Sequence, residues 1–240
     1  MAQTQYQCLE IGEIFIELIR KRVKNLSIGI HPPDGRVRVS APIYFSDQMI
    51  KEAVSEKLPW IIKQKKKFKN CLFEEQLEIK SGEFHYFNGE KLLLQIYELQ
   101  KARPKIIKNR AVLEFYLPLG LSKLEKERYL NRWYREQLAA MLPQMIEHWS
   151  KILGVSVNEW AIKQMKTRWG SCNPQAKRIW INLELMKHSR ESLEYVLVHE
   201  LAHLLEASHN ERFKKIMTAA LPNWRLRRQE LKKIPLGLAS

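Results

Sequence analysis

Cysteine is scarce in this 240-residue chain: Cys8, Cys71 and Cys172 are far apart and odd in number. That excludes a disulfide framework and a cysteine-ligated zinc ribbon, and fits a reducing compartment. No apolar run approaches the roughly 20 residues that a bilayer-spanning helix needs, so no membrane partner is expected. The opening "MAQTQYQCLEIGEIF" lacks a basic stretch followed by an apolar run and a small-residue cleavage site, so no signal peptide is read and the cytoplasm is the expected location. A Gly-rich phosphate loop, internal repeats and low-complexity segments are also missing from the pattern. Acidic residues are few, 26 against 41 Lys and Arg, and the net charge is +15. Such an excess attracts anionic partners, nucleotide and nucleic acid among them. It is spread over both halves, with dense clusters at "KQKKKFK" (63–69), "KARPKIIKNR" (101–110) and from Arg212 to Lys233. Trp224 before "RLRR" is the one hint of an aromatic platform beside the charge, where a nucleic-acid groove would use several.

The residues that are present suggest an α+β fold. "EIFIELIRK", "LSIGIH" and "RVRVS" read as strands, with turn chemistry at "PPDG" (32–35) between the last two. A helix is expected from Ser46 or Asp47, broken at Pro59. "FHYFNGEKLLLQIYEL" reads as a hairpin turning at Asn88-Gly89, and "PKIIKNRAVLEFYL" as another turning near Asn109-Arg110. Near residue 120 the period changes: Ser122 can cap a helix running to about Leu153, interrupted at Pro143. The boundary is therefore placed there, giving a β-rich N-terminal domain at 1–120 and a second domain at 121–240. In the latter, "WAIKQMKTRWGSCNPQAKRIWINLEL" suggests a β-hairpin and "SRESLEYVLVHELAHLLEA" the strongest helix of the chain.

That helix carries the chemistry. His199 and His203 are four residues apart, on one helix face and about 6 Å apart along the axis, where both can reach one ion. Zn2+ accepts imidazole nitrogens, and Glu200 is set about 100° round the helix, able to take a proton from water without being a ligand. This is the H-E-x-x-H arrangement. A third ligand is needed. In an unbroken helix His209 would be turned about 80° away and roughly 9 Å beyond His203, so the chain must break after Leu205 or Glu206. Ser208-His209-Asn210-Glu211 matches a capping box that would start a new helix at Ser208. His209 is the favoured third ligand over Glu206 and Glu211, because the Glu211 carboxylate has a capping role. Burying His199, Glu200 and His203 in the uncharged "YVLVHELAHLL" without a partner would be costly, and a metal offsets that cost.

"KTRWGSCN", "RIWINLELM", "YVLVHELAHLLEASHNERF" and "LPNWRLRRQEL" together resemble the YgjP-like metallopeptidase family, and more distantly the SprT-like zinc proteases. The resemblance is specific over about residues 160–230. It implies a compact zincin-like catalytic domain, with zinc on His199, His203 and His209 and Glu200 as the catalytic carboxylate. Glu206 stands where metzincins have their turn glycine, so the chain is not assigned to them. In "RWGSC", Gly170 could admit a substrate backbone and Arg168 could bind an anion. Alternatively, Trp169 and Cys172 pack in the core and Gly170 shapes the hairpin turn.

The expected function is a zinc-dependent peptidase acting on peptide or protein substrates, with strand "RIWINLEL" pairing with extended substrate. Nickel, manganese and cobalt are the other candidate metals. A nucleotide pyrophosphatase on the same site, with Arg168, Lys166 or Arg212 neutralising phosphate, is the second reading. A basic nucleic-acid-binding module with a structural metal is the third.

Overall fold

A computed structural model describes residues 5–12, 14–31, 36–70, 77–101 and 103–232. The chain divides into two compact units, Met1–Glu75 and Gln76–Ser240.

In the first unit, β1 (Gln5–Ile11), β2 (Ile14–Lys21), β3 (Ser27–His31) and β4 (Arg36–Pro42) precede helix α1 (Asp47–Asn70). The sheet order is β1-β2-β4-β3, with β2 and β4 parallel and both outer pairs antiparallel. Alternation turns Ile14, Ile16 and Leu18 of β2 and Val37, Val39 and Ala41 of β4 inward, into one core with Ile50, Val54 and Ile61 of α1. Ser46 Oγ accepts the Met49 amide and starts the helix. Pro59 does not end it. The carbonyl that a proline at 59 leaves unpaired is that of Ser55, which is exposed, so water can take the place of the missing donor. The "PPDG" turn and Cys71 lie outside the described residues.

The second unit begins with the same topology. β5 (Phe84–Phe87), β6 (Glu90–Leu99), β7 (Lys105–Asn109) and β8 (Val112–Pro118) are followed by α2 (Lys123–Leu153). The order is β5-β6-β8-β7, with β6 and β8 parallel between antiparallel outer pairs. Even the link to the helix repeats: Pro42 and Ser46 are spaced as Pro118 and Ser122 are, and each serine caps its helix. Both expected hairpin turns form, with Asn88, Gly89 and Arg110 at φ of 50°, 79° and 50°. Pro143, like Pro59, lies on an exposed face and α2 runs through it.

The remainder builds the site. β9 (Glu159–Lys163), β10 (Gly170–Asn173) and β11 (Arg178–Asn182) form a sheet in the order β10-β11-β9. The expected hairpin is thus limited to β10 and β11, while β9 joins β11 in parallel. A 3₁₀ turn (Leu183–Lys187) leads to α3 (Arg190–Ala202), α4 (Glu211–Ala220) and α5 (Trp224–Leu231). One core runs from Ile79 to Leu231, so the β5–β8 sheet shares its interior with the helices. The division between units therefore falls before this sheet, where pattern alone had put it after β8. The Asn88-Gly89 turn seats on the start of α3: its amides donate to Met186 O and Lys187 O. A Cβ at Gly89 would come within 3.1 Å of Ser189 backbone, the N-cap of α3.

Candidate metal centre

Helix α3 is buried on nearly every side, from Ser192 through Ala202. It ends at Ala202 with His203 as its C-cap, so the helix stops three to four residues sooner than the break expected after Leu205 or Glu206. The His203 amide still reaches His199 O, which keeps the i, i+4 relation of the two rings. The next helix does not start at Ser208. Its cap is Asn210, whose side chain accepts the Phe213 amide, while the Ser208 amide turns back to the Glu206 carboxylate. His209 therefore lies in the corner before α4 rather than in its first turn.

That corner brings the three imidazoles together. One ring nitrogen from each of His199, His203 and His209 lies within 4.8 Å of the others. His199 Nε2 and His209 Nε2 are 3.0 Å apart. Two ligands on a tetrahedral ion with bonds of 2.0–2.1 Å would be separated by about 3.3 Å. Phe213 of α4 is buried beside the cluster, its ring centroid 5.0, 4.7 and 4.9 Å from those of His199, His203 and His209. It forms an apolar wall that the sequence pattern gave no reason to single out.

Electrostatics favour neutral rings. His199 is lowered to about 3, first by burial and then by the positive potential of His203, His209 and Arg228. His203 is lowered as well, mainly by burial. Its Nδ1 is 3.1 Å from Glu206 O, and a carbonyl only accepts, so Nδ1 carries the proton and Nε2 keeps its lone pair. At 3.0 Å, His199 Nε2 and His209 Nε2 either share one proton in a hydrogen bond or together hold one cation. The donor set thus fits a divalent ion that accepts nitrogen ligands. Glu206 and Glu211, the competing third-ligand candidates, are engaged elsewhere: Glu206 with the Ser208 amide and Arg212, Glu211 with Lys214.

Glu200 is buried, with 6% of its surface exposed. Burial raises its carboxyl to about 8, against a smaller opposing pull from Arg168. The reason it fits is Gly170. A Cβ built at Gly170 would lie 2.6 Å from both Cγ and Oε1 of Glu200. The glycine of "RWGSC" opens β10 and so does not shape the turn to β11, and the place a side chain would take there is filled by Glu200. Trp169 packs partly buried against the core, edge-on to His188 at 4.6 Å. Cys172 is pushed up to about 11 by burial and by Glu200, which leaves it a poor nucleophile.

A cavity of about 610 Å³ opens over the cluster. Its walls include Arg168, Gly170, Tyr195, Glu200 and the three histidines, with Arg228 and Lys232 of the last helical stretch. Lys166 and Arg212 are not part of it. The loop carrying Arg168 is clamped by Asn182, which is fully buried. Its amide donates to Met165 O and Arg168 O and its oxygen accepts from the Met165 and Glu184 amides. β11 has a partner on both edges and so cannot take up a substrate strand, contrary to the expectation for "RIWINLEL". β10 and β9 are the edge strands, and Gly170, Ser171 and Cys172 of β10 line the cavity.

The family model described as YgjP-like, metallopeptidase domain, matches residues 24–234. Among solved structures, the crystal structure of the metallopeptidase zymogen of abylysin from Pyrococcus abyssi is similar at 24% identity. That match covers 39% of this chain and 91% of the abylysin chain, with a TM-score of 0.35. No curated protein matches.

Proposed function

The chain belongs to the YgjP-like metallopeptidase domain family, and from that membership we propose a zinc peptidase with His199, His203 and His209 as ligands and Glu200 as general base. The observation that carries this reading is the convergence of three imidazole nitrogens beside a buried carboxylate, at the floor of an open cavity. A structural zinc takes four protein ligands as a rule, whereas three leave a position for substrate chemistry.

Zn2+ held there supplies Lewis acidity toward a scissile carbonyl and toward water. The Glu206 carbonyl holds the His203 ring by its Nδ1 proton, and Phe213 keeps the cluster dry on one side. Glu200, confined by Gly170, accepts the proton of the attacking water at its carboxylate and passes it to the leaving nitrogen. A carboxyl raised by burial is matched to both halves of that transfer, since it binds and releases a proton near neutral pH. Extended substrate adds to the free edge of β10, which lines the cavity, by main-chain hydrogen bonds. The cytoplasm is the proposed location; no helix among the described residues is long and apolar enough to cross a membrane.

The test is a comparison of purified wild type with Glu200→Gln, using elemental analysis together with hydrolysis of casein and of nucleoside triphosphates. The expected result is stoichiometric zinc in both proteins, casein cleavage by the wild type, and a loss on the order of 10²–10⁴-fold in the variant. Full activity in Glu200→Gln, or turnover of nucleotides with none of casein, would overturn the proposal.

A further inference from the structure

The cavity has an uneven charge distribution that hydrolysis alone does not require. Glu200 is the single carboxylate among its lining residues, and Arg168, Arg228 and Lys232 are its cations outside the histidine cluster. The other cations of α5 have structural occupations: Arg227 pairs with Glu194 and Arg225 lies over the Trp224 ring at 4.5 Å. Arg228 and Lys232 are four residues apart, which puts two like charges on one helical face, a pairing that destabilises a helix by itself. Among the described residues none of these three cations forms an ion pair with a carboxylate. Arg168 comes from a separate element, the loop before β10 whose backbone Asn182 fixes. Arg228 is also close enough to act on both His199 and Tyr195.

We infer that the wall formed by Arg168, Arg228 and Lys232 is a carboxylate subsite, and that the preferred substrates are peptides bearing a carboxylate beside the scissile bond. This rests on the metallopeptidase reading of the same site. A guanidinium presents paired N–H donors that match a carboxylate, and a bound anion relieves the repulsion between Arg228 and Lys232. The carboxylate has two sources, an Asp or Glu side chain or the free C-terminus of the peptide, and the same cations recognise either.

The experiment uses zinc-loaded protein and internally quenched peptides. Glu and Gln alternate at each position flanking the cleaved bond, each peptide being made with a free and an amidated C-terminus. The expected outcome is a preference of about 10-fold or more in kcat/KM for one carboxylate over its neutral isostere, the size of a charge-assisted hydrogen bond. A preference confined to Glu peptides assigns the side chain; one confined to free C-termini assigns the terminus. Arg228→Gln should reduce the ratio of acidic to neutral kcat/KM, and Arg228→Glu should reverse it in favour of the Gln peptides. Cleavage with equal rates for acidic and neutral peptides, or a preference unmoved by changes at Arg228 and Arg168, overturns the inference and leaves the peptidase standing. If no peptide is cleaved, the peptidase reading has failed, and a binding titration decides the subsite separately. In that titration, fluorescence anisotropy of a labelled Glu-rich peptide on zinc-loaded Glu200→Gln protein should weaken with salt and weaken further on adding Arg228→Gln. Equal affinity with and without the Arg228 change overturns it.

Discussion

Gly170→Ala is the sharpest test of how the site is built. The added methyl would lie 2.6 Å from Cγ and Oε1 and 2.8 Å from Cδ of Glu200, where ordinary contacts begin at 3.4 Å. Three atoms of one side chain are struck at once, so rotating the carboxylate end alone does not clear the overlap. Glu200 is also buried, with little room to withdraw into. The carboxylate must therefore retreat by close to 1 Å. A displacement of that size in a positioned catalytic group costs about 10²-fold in rate, and overpacking costs about 1–3 kcal/mol in stability. For a unit of this size each kcal/mol lowers Tm by about 2–4 °C. The three atoms nearest the new methyl all belong to Glu200 and none to a histidine, so zinc should be retained. The assay is kcat/KM on a peptide, Tm by calorimetry and zinc by elemental analysis, on Gly170→Ala, Glu200→Ala and the double variant. In the Glu200→Ala background the clash is gone, so the alanine at 170 should cost almost no stability there. Wild-type rate and Tm in Gly170→Ala, or an equal loss of Tm in both backgrounds, would refute the close-packing argument.

His203→Ala should lose stoichiometric zinc while Glu206→Gln keeps it, as read by elemental analysis after dialysis; zinc loss in the second variant alone would return Glu206 to the ligand set. The metal-free protein should have a stability maximum near pH 6.5. Below it, His85, His188 and His199, lowered to about 4, 4 and 3, resist the charging that the unfolded chain accepts, so stability falls with acid. Above it, Glu200 is the opposing group: its carboxyl is raised to about 8, the folded chain holds a proton that the unfolded chain has released, and stability declines as pH rises. Between pH 6.5 and 8 the Glu200 share is about 1.6 kcal/mol, partly offset by the histidines, and is read as the difference between wild type and Glu200→Gln in urea unfolding with EDTA; the same pH dependence in both proteins would sink the assignment. Asn182→Ala would leave Met165 O and Arg168 O without their donor. The expected loss is roughly 3 kcal/mol, or about 6–12 °C in Tm, and an unchanged melting curve would show that the clamp is dispensable.

The histidine pair was legible because helical spacing is fixed by backbone geometry: four residues return a side chain to the same face whatever surrounds the helix. His209 could be inferred only through the need for a break, and the position of the break was misjudged. Ser208 and Asn210 are both good caps, and the choice between them depends on Glu206, whose carboxylate takes the Ser208 amide and leaves Asn210 to hold Phe213. Gly170, Phe213 and Asn182 act through tertiary contacts with partners far along the chain or across a turn. No local period reveals such partners. Gly170 stood out as part of a motif, but its purpose became clear only when Glu200 was found where a Cβ would be.

The repeated strand order has a similar explanation. Both ββββα segments place two parallel strands in the middle, β2 with β4 and β6 with β8, and end on a serine-capped helix after a proline. What such a topology demands of sequence is alternation in the two central strands and a cap at the helix start, and those demands are met by interchangeable residues: Ile16, Leu18, Val37 and Val39 in one segment, Leu92, Leu94, Leu113 and Phe115 in the other. Two segments can therefore share a fold while no stretch of letters repeats. The second copy differs in what it must also cover. Its first turn needs Gly89 because Ser189, the residue that starts the histidine helix, lies 3.1 Å from the Cβ position. Gly12, in the matching turn of the first copy, has nothing within 4 Å of its Cβ position. The demand on the second turn is thus set by the metal-centre helix, and Gly89→Ala should shift α3 and weaken zinc retention where Gly12→Ala does not. Equal zinc content in the two variants would separate the sheet from the site and dismiss this connection.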